Sequence, residues 1–323
     1  MKRNHFIKTV FGASILTTME GFSSIANALS HMNQEHSNSS KFASFGAIHL
    51  KNTNLKKSTI FWTKIVGMKL RKSSGTIAKF GTETQTLVVV HQTAKTHFKK
   101  GYSGLYHLAI HAPNEAEFAS MINRLLVNNY PFSPVDHTMS KSVYLDDPDG
   151  INVEFALETP KRFKRVVTQG GLRIEDSNGN IKSASDYLDL NEVMKSLVNK
   201  DVTKIISDET YIGHLHLYAN NVEKSNTFYK KLGFNQFNYL PQFMYADVGA
   251  GGTYQHRIAL NSWHGINRPL APSDSAGMKH YQINFSTKEK LNQALSNVSE
   301  YEETDDGYWF HDATGNKILV TCS

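Results

Sequence analysis

Val135 to Glu154 reads VDHTMSKSVYLDDPDGINVE, and this stretch determines how the rest of the chain is interpreted. Val143 to Leu145 alternate as in a half-buried strand, Asp147-Pro148-Asp149-Gly150 has the composition of a tight turn, and Ile151 to Phe155 form a second alternating run. Glu154 shares a face with Asn152, opposite Val153 and Phe155. A carboxylate directed into a protein interior must be paired or bound to a metal, because burying it alone is costly or shifts its pKa. Asp146, Asp147 and Asp149 are read as turn residues, since aspartate favours such turns by hydrogen bonding its own backbone.

The unit around this stretch has relatives elsewhere in the chain. Phe45-Gly46-Ala47-Ile48-His49-Leu50 is echoed by Ile212-Gly213-His214-Leu215-His216-Leu217. Each is followed by an amphipathic segment with an aromatic pair, Phe61-Trp62 or Phe228-Tyr229, and by a glycine stop, Gly67 or Gly233. His107-Leu108-Ala109-Ile110 is likewise echoed by His280-Tyr281-Gln282-Ile283, and the units they open end in Asp147-Pro148-Asp149-Gly150 with Glu154 and in Asp312-Ala313-Thr314-Gly315 with Leu319. Four strand-helix-strands modules result, at about 45–92, 104–158, 211–262 and 278–321. The halves 44–158 and 210–323 each hold two modules. The polar, basic segment 159–209 is expected to be a linker carrying one helix over Ala184 to Asn199.

A chain of 323 residues suffices for two domains with ordinary cores. With 40% apolar and 20% charged residues, it has the composition of a globular protein. Its single cysteine, Cys322, excludes an intramolecular disulfide framework and a cysteine-based zinc cluster, so any metal needs histidine and carboxylate ligands. The net charge of +6, with no clustered basic face, argues against nucleic acid as a partner.

Residues 1–28 have the pattern of an export signal: Lys2, Arg3 and Lys8, then an apolar run, then Ala26-Asn27-Ala28 with small-x-small spacing. Glu20 interrupts the run, which is too polar for a stable membrane span. Arg3-Asn4-His5-Phe6-Ile7-Lys8 resembles a twin-arginine signal whose second arginine is Asn4. The expectation is an exported, periplasmic protein with a flexible segment over 29–43, the alternative being a cytoplasmic protein with an N-terminal extension.

Four such modules resemble the vicinal oxygen chelate superfamily, in which paired βαβββ modules curl into open barrels around a metal. The implied fold is α+β, with four βαβββ modules of the glyoxalase/bleomycin-resistance/dioxygenase type forming two open barrels. Within it, His137, Val143, Tyr144, Pro148-Asp149-Gly150 and Glu154 resemble the signature of extradiol ring-cleavage dioxygenases. The order of parts, including Gly104-Leu105-Tyr106-His107, is similar to two-domain catechol 2,3-dioxygenases, enzymes of aromatic hydrocarbon catabolism.

The resemblance implies Fe(II), or Mn(II), held by two histidines and one glutamate, with catecholate and O₂ taking the remaining positions. If the first module pairs with the second and the third with the fourth, neither pair is complete: Ala47 stands where the third module has His214, and Leu319 where the second has Glu154. Pairing the second with the third assembles His107, Glu154 and His214. The rival set uses His49 with His107 and Glu154, although His49 lies two residues off register, about 6–7 Å along the strand. His256 matches the family's acid/base histidine, and His137 with Tyr144 matches the pair that orients the substrate hydroxyl. His216 is a candidate support for a ligand, while His49, His111 and His280 are compatible with plain core histidines.

The leading expectation is extradiol cleavage of a catechol by O₂ to a 2-hydroxymuconic semialdehyde-type product, in a family that commonly forms homo-oligomers. Two other classes stay open: a metal-dependent glyoxalase-type isomerase or thiol transferase, and a non-catalytic small-molecule-binding protein of the same fold.

Overall fold

Strand β1 (Ala43–Asn52) opens the first of four units that share one order. It is followed by α1 (Leu55–Ile60), which continues into a π-helical turn over Phe61–Ile65, and by β2 (Lys69–Ser74), β3 (Ile77–Gly81) and β4 (Thr86–Gln92). The second unit comprises β5 (Gly104–His111), α2 (Glu115–Val127), β6 (Ser133–Asp136), β7 (Ser140–Asp146) and β8 (Asn152–Glu158). A middle segment holds β9 (Phe163–Val167), β10 (Arg173–Asp176), β11 (Ile181–Ser183) and α3 (Leu190–Met194). The third unit is β12 (Tyr211–Tyr218), α4 (Val222–Lys231), β13 (Asn235–Leu240), β14 (Tyr245–Gly249) and β15 (Ile258–Asn261). The fourth is β16 (Gly277–Phe285), α5 (Lys288–Leu295), β17 (Glu302–Thr304), β18 (Gly307–His311) and β19 (Lys317–Cys322). This computed structural model describes residues 40–323; the export signal read in residues 1–28, and residues 29–39 after it, lie outside them. Within the rest of the 29–43 segment, the Phe42 amide donates to the Ala250 carbonyl and its ring meets Phe234 edge-on.

The repetition has a local cause. In all four units the helix after the first strand begins at a capping side chain, Asn54, Asn114, Asn221 or Thr287, which accepts from the amide three residues on. Gly67 and Gly233 follow α1 and α4 with φ of +86° and +98°, a left-handed conformation that suits glycine. Phe61, Trp62 and Tyr229 are buried, as the amphipathic pattern predicts, and Phe228 is half-buried against the core.

The strands form two eight-stranded mixed sheets, ordered β17-β18-β19-β16-β1-β4-β3-β2 and β13-β14-β15-β12-β5-β8-β7-β6. Each sheet therefore takes one unit from each half of the sequence: first with fourth, second with third. The two units in a sheet meet at an antiparallel seam, β1 with β16 and β5 with β12. This is the α+β architecture expected, with open sheets that do not close into barrels.

Units adjacent in sequence are joined instead by buried polar contacts. Asn52 at the end of β1 donates through Nδ2 to Asp147 (2.6 Å) and Asp149 (3.0 Å), in the turn between β7 and β8. The Tyr229 hydroxyl of α4 donates to Asp312 (2.7 Å), in the equivalent turn of the fourth unit. Asp147 also accepts from the amides of Asp149 and Ile151, so it is a turn residue as expected.

The middle segment differs from the expected linker with a helix over Ala184 to Asn199. Strands β9, β10 and β11 form a separate antiparallel sheet, and α3 is confined to Leu190–Met194, capped by Asp189. Asp186 exchanges backbone hydrogen bonds with Asp136, so the chain before α3 is committed to extended pairing with β6. Among the described residues no helix is long and apolar enough to cross a membrane.

Candidate metal centre

Three strands build the site. Across β12, β5 and β8 the residues His214, Ala109 and Glu154 are in register, and His107 lies two positions from Ala109 on the same face of β5. Only a methyl group separates His214 from Glu154 along that row, so their side chains reach each other above it. Glu154 Oε2 lies 3.0 Å from His107 Nε2 and 3.0 Å from His214 Nε2, and the two nitrogens are 3.3 Å apart. All three residues are buried, at 4%, 1% and 2% exposure for His107, Glu154 and His214.

Two imidazoles and one carboxylate converging in a buried space are the donor set that divalent iron or manganese accepts. Burial opposes ionisation of Glu154, yet His214 and His107 beside it hold its carboxyl well below the usual carboxylate range. His214 is lowered too, because burial disfavours its cationic form more than Glu154 favours it. Charge thus resides on the carboxylate, as a cation site requires.

The rival set does not assemble. His49 lies in the other sheet, where its Nδ1 is 2.9 Å from His91 Nε2 and its ring stacks on His280 at 3.9 Å. That sheet also lacks the carboxylate: Gln282 and Leu319 are paired where the second unit pairs Ala109 and Glu154.

The other predicted residues surround the three donors. Tyr144 pairs with Glu154 across β7 and β8, and its hydroxyl is 2.8 Å from His137 Nε2. Burial, then the Glu154 charge, raise the Tyr144 hydroxyl well above its ordinary pKa. His137 Nδ1 donates to the Ala184 carbonyl at 2.7 Å, so the middle segment, expected only to link, fixes this imidazole. On the other flank the His256 ring lies 4.7 Å from that of His214, and its Nδ1 donates to Asp247 at 2.7 Å. Asp247 also accepts from the Tyr245 hydroxyl at 2.9 Å. His216 stands opposite His107 on β12, and its Nε2 accepts from the Asn261 amide at 2.8 Å.

Four participants were not singled out from the sequence: Asp247, Glu158, Arg257 and, beyond its reading as a core histidine, His111. His111 Nε2 is 2.8 Å from His214 Nδ1, and His111 Nδ1 is 2.9 Å from Glu158 Oε1. Glu158 further accepts from Arg257 Nη1 (2.7 Å) and the Tyr211 hydroxyl (2.6 Å). Although burial opposes it, the hydrogen bond from His111 and the Arg257 charge hold the Glu158 carboxyl far below its ordinary range. A signal was present: His107 and His111 on β5, and Glu154 and Glu158 on the parallel β8, share a four-residue spacing and one face.

Comparison with known proteins agrees with this architecture. The sequence profile of the Glyoxalase/Bleomycin resistance protein/Dioxygenase superfamily matches residues 45–155. A catechol-2,3-dioxygenase of Bacillus subtilis (strain 168) is 26% identical over 283 residues, covering 85% of this chain and 95% of the relative. Among solved structures, a provisionally assigned dioxygenase from Bacillus subtilis subsp. subtilis str. 168 superposes with a TM-score of 0.55 at 13% identity, over 88% of this chain and 86% of that one. A glutamate-to-glutamine mutant of glyoxalase I from Zea mays superposes with a TM-score of 0.51 at 12% identity, over 87% of this chain and 94% of that one. With four βαβββ units in two open sheets, the chain has the α+β fold of the vicinal oxygen chelate type, and residues 45–155 are similar to the Glyoxalase/Bleomycin resistance protein/Dioxygenase superfamily.

Proposed function

We propose that this protein is an Fe(II)-dependent extradiol dioxygenase that opens a catecholic ring beside its two hydroxyls. The observation that carries the proposal is the juxtaposition of His107, Glu154 and His214 with the hydrogen-bonded His137–Tyr144 pair on one flank and His256 on the other. Similarity to a catechol-2,3-dioxygenase along most of the chain supports it.

His107, Glu154 and His214 would hold the metal. A ferrous ion bound there would offer open positions to both substrates and pass electrons between them. His256 donates its Nδ1 hydrogen to Asp247, a carboxylate that can only accept, which leaves Nε2 of the neutral imidazole as a base for a substrate hydroxyl proton. His137 donates through Nδ1 to a carbonyl, so its Nε2 accepts from Tyr144. That arrangement fixes the Tyr144 oxygen as an acceptor for the other substrate hydroxyl. One carbon–carbon bond of the ring breaks, both atoms of O₂ enter the product, and no external reductant is consumed.

The test is anaerobic loading with Fe(II), then catechol and air, following the absorbance of the ring-opened semialdehyde. Rapid colour in the wild-type chain, absent in Glu154→Gln with a loss of metal affinity of at least about 100-fold, is the expected outcome. Bound iron with no absorbance rise for catechol or its alkyl and aryl derivatives would overturn the assignment. Export, argued from residues 1–28, is tested by fractionation and mass spectrometry: an intact Met1 in the cytoplasm would overturn it.

A further inference from the structure

We infer that His111 is a positioning residue for the metal centre: with Glu158 and Arg257 it sets the tautomer of His214 so that His214 presents a bare Nε2 lone pair to the site. The inference rests on the metal-dependent reading above and extends it to residues outside the ligand set.

The argument runs along hydrogen bonds from the protein interior. Glu158 Oε1 is surrounded by donors, the Arg257 guanidinium at 2.7 Å and the Tyr211 hydroxyl at 2.6 Å, and an ionised carboxylate can only accept. The His111 Nδ1 atom, 2.9 Å away, must therefore carry a hydrogen. A neutral imidazole has one N–H, so His111 Nε2 holds a lone pair and has to accept from His214 Nδ1 at 2.8 Å. With its hydrogen on Nδ1, His214 turns a bare Nε2 toward Glu154 Oε2 at 3.0 Å and His107 Nε2 at 3.3 Å. Two acceptors then face each other at hydrogen-bond distance, an arrangement that a cation between them relieves. Without the relay, His214 could place its hydrogen on Nε2, donate to Glu154 and compete with the metal for both ligands.

The backbone is shaped for this contact. Ile212 pairs with Ile110 and His214 with Ala109, so Gly213 is the extra residue of a bulge in β12. The His111 ring lies over it: a Cβ on Gly213 would fall 2.0 Å from ring carbons Cγ and Cδ2. The bulge brings His214 into the row of Ala109 and Glu154 while leaving room for His111 behind it. His111 is fully buried and His214 is 2% exposed, so water cannot take over the hydrogen bond between them.

The test uses His111→Phe, which fills the ring volume but cannot accept from His214 Nδ1. Co(II) affinity is measured anaerobically by competition with a chromogenic chelator, in wild type, His111→Phe and Glu154→Gln. The expected result is a 10–100-fold loss in folded His111→Phe, with a changed visible Co(II) spectrum. Wild-type affinity in folded His111→Phe, with binding lost in Glu154→Gln, would overturn the relay alone. Wild-type protein that binds no Co(II), or binds it equally after Glu154→Gln, would overturn the metal reading and the inference with it. Should His111→Phe fail to fold, two-bond ¹⁵N–¹H correlations of histidine-labelled, metal-free wild type read the tautomers directly. Nδ1–H at His214 supports the relay, and Nε2–H there overturns it.

Discussion

Gly213→Ala is the sharpest perturbation of the site that leaves every functional side chain in place. Gly213 has an ordinary negative φ, so alanine suits its backbone and the only obstacle is space. The new methyl carbon would lie 2.0 Å from His111 Cγ and Cδ2 and 2.3 Å from Nδ1, whereas ordinary contact begins near 3.4 Å. The ring would have to retreat by about 1.4 Å, yet it is held at 2.9 Å to Glu158 and 2.8 Å to His214. A shift of that size breaks at least one of these bonds. Losing the bond to the charged Glu158 costs about 1.5–3 kcal/mol, and overpacking a buried site costs about 1–3 kcal/mol. Since the retreat relieves part of the overpacking, the net expectation is a loss of about 2–4 kcal/mol. Urea unfolding followed by circular dichroism measures it, with Co(II) affinity as a second readout. Gly46→Ala is the matched control at the equivalent repeat position: its methyl would meet the flexible end of Gln282, which can swing aside, so the cost should stay below about 1 kcal/mol. Gly213→Ala within about 0.5 kcal/mol of wild type, with unchanged Co(II) affinity, would refute the claim that His111 is rigidly held.

Further outcomes follow from other parts of the molecule. Asn52→Ala removes donors from Asp147 and Asp149 in a buried turn, so unfolding free energy should fall by about 3 kcal/mol; a change under about 1 kcal/mol in urea would contradict the proposed glue between the first two units. Asp247→Asn frees the His256 tautomer, and under the dioxygenase reading kcat should drop about 10–100-fold with KM little changed; an unaltered kcat would remove Asp247 and His256 from the chemistry. In the sheet built on β1 and β16, burial first and then neighbouring cationic groups lower His91 and His280 to about 4 and His49 to about 3, with Lys279 facing all three. These folded-state values lie below the unfolded one, so unfolded imidazoles take up protons that folded ones refuse, and stability falls as pH drops from about 6.5 toward 4. Each histidine contributes at most about 1.4 kcal/mol per pH unit, less where solvent reaches it. His91→Gln should flatten the stability profile between pH 6 and 5, and an unchanged slope would refute this account.

Legibility from the sequence tracked the range of the interactions involved. The four units were readable because their causes are local: alternation in strands such as β7 and β8, an aromatic pair in the helix at Phe61-Trp62 and at Phe228-Tyr229, and glycines at Gly67 and Gly233. His107, Glu154 and His214 stood out because two lie in repeated strands and the third completes a dense motif. The middle segment misled because its apolar spacing permits a helix, while pairing of Asp186 with Asp136 commits it to extended chain, and that pairing joins residues 50 positions apart. His111 was one histidine among 15 in the chain, marked only by its four-residue spacing from His107, a spacing that gains meaning once β5 and β8 are known to pair in parallel.

By itself, then, the sequence determined the number and order of the βαβββ units, the turn built on Asp147 to Gly150 and the residue types able to hold a metal without cysteine. The ligand set also pointed to the pairing of the second unit with the third, which the β5–β12 seam bears out. Only the tertiary structure decided that the first unit shares a sheet with the fourth, that His49 belongs to a separate histidine cluster, and that His111, Glu158 and Arg257 stand behind His214. The physical reason is register. Side-chain period and turn chemistry are written within a few residues, whereas the meeting of His214 with Glu154 and His111 depends on a single-residue bulge at Gly213 in a seam between strands about a hundred residues apart.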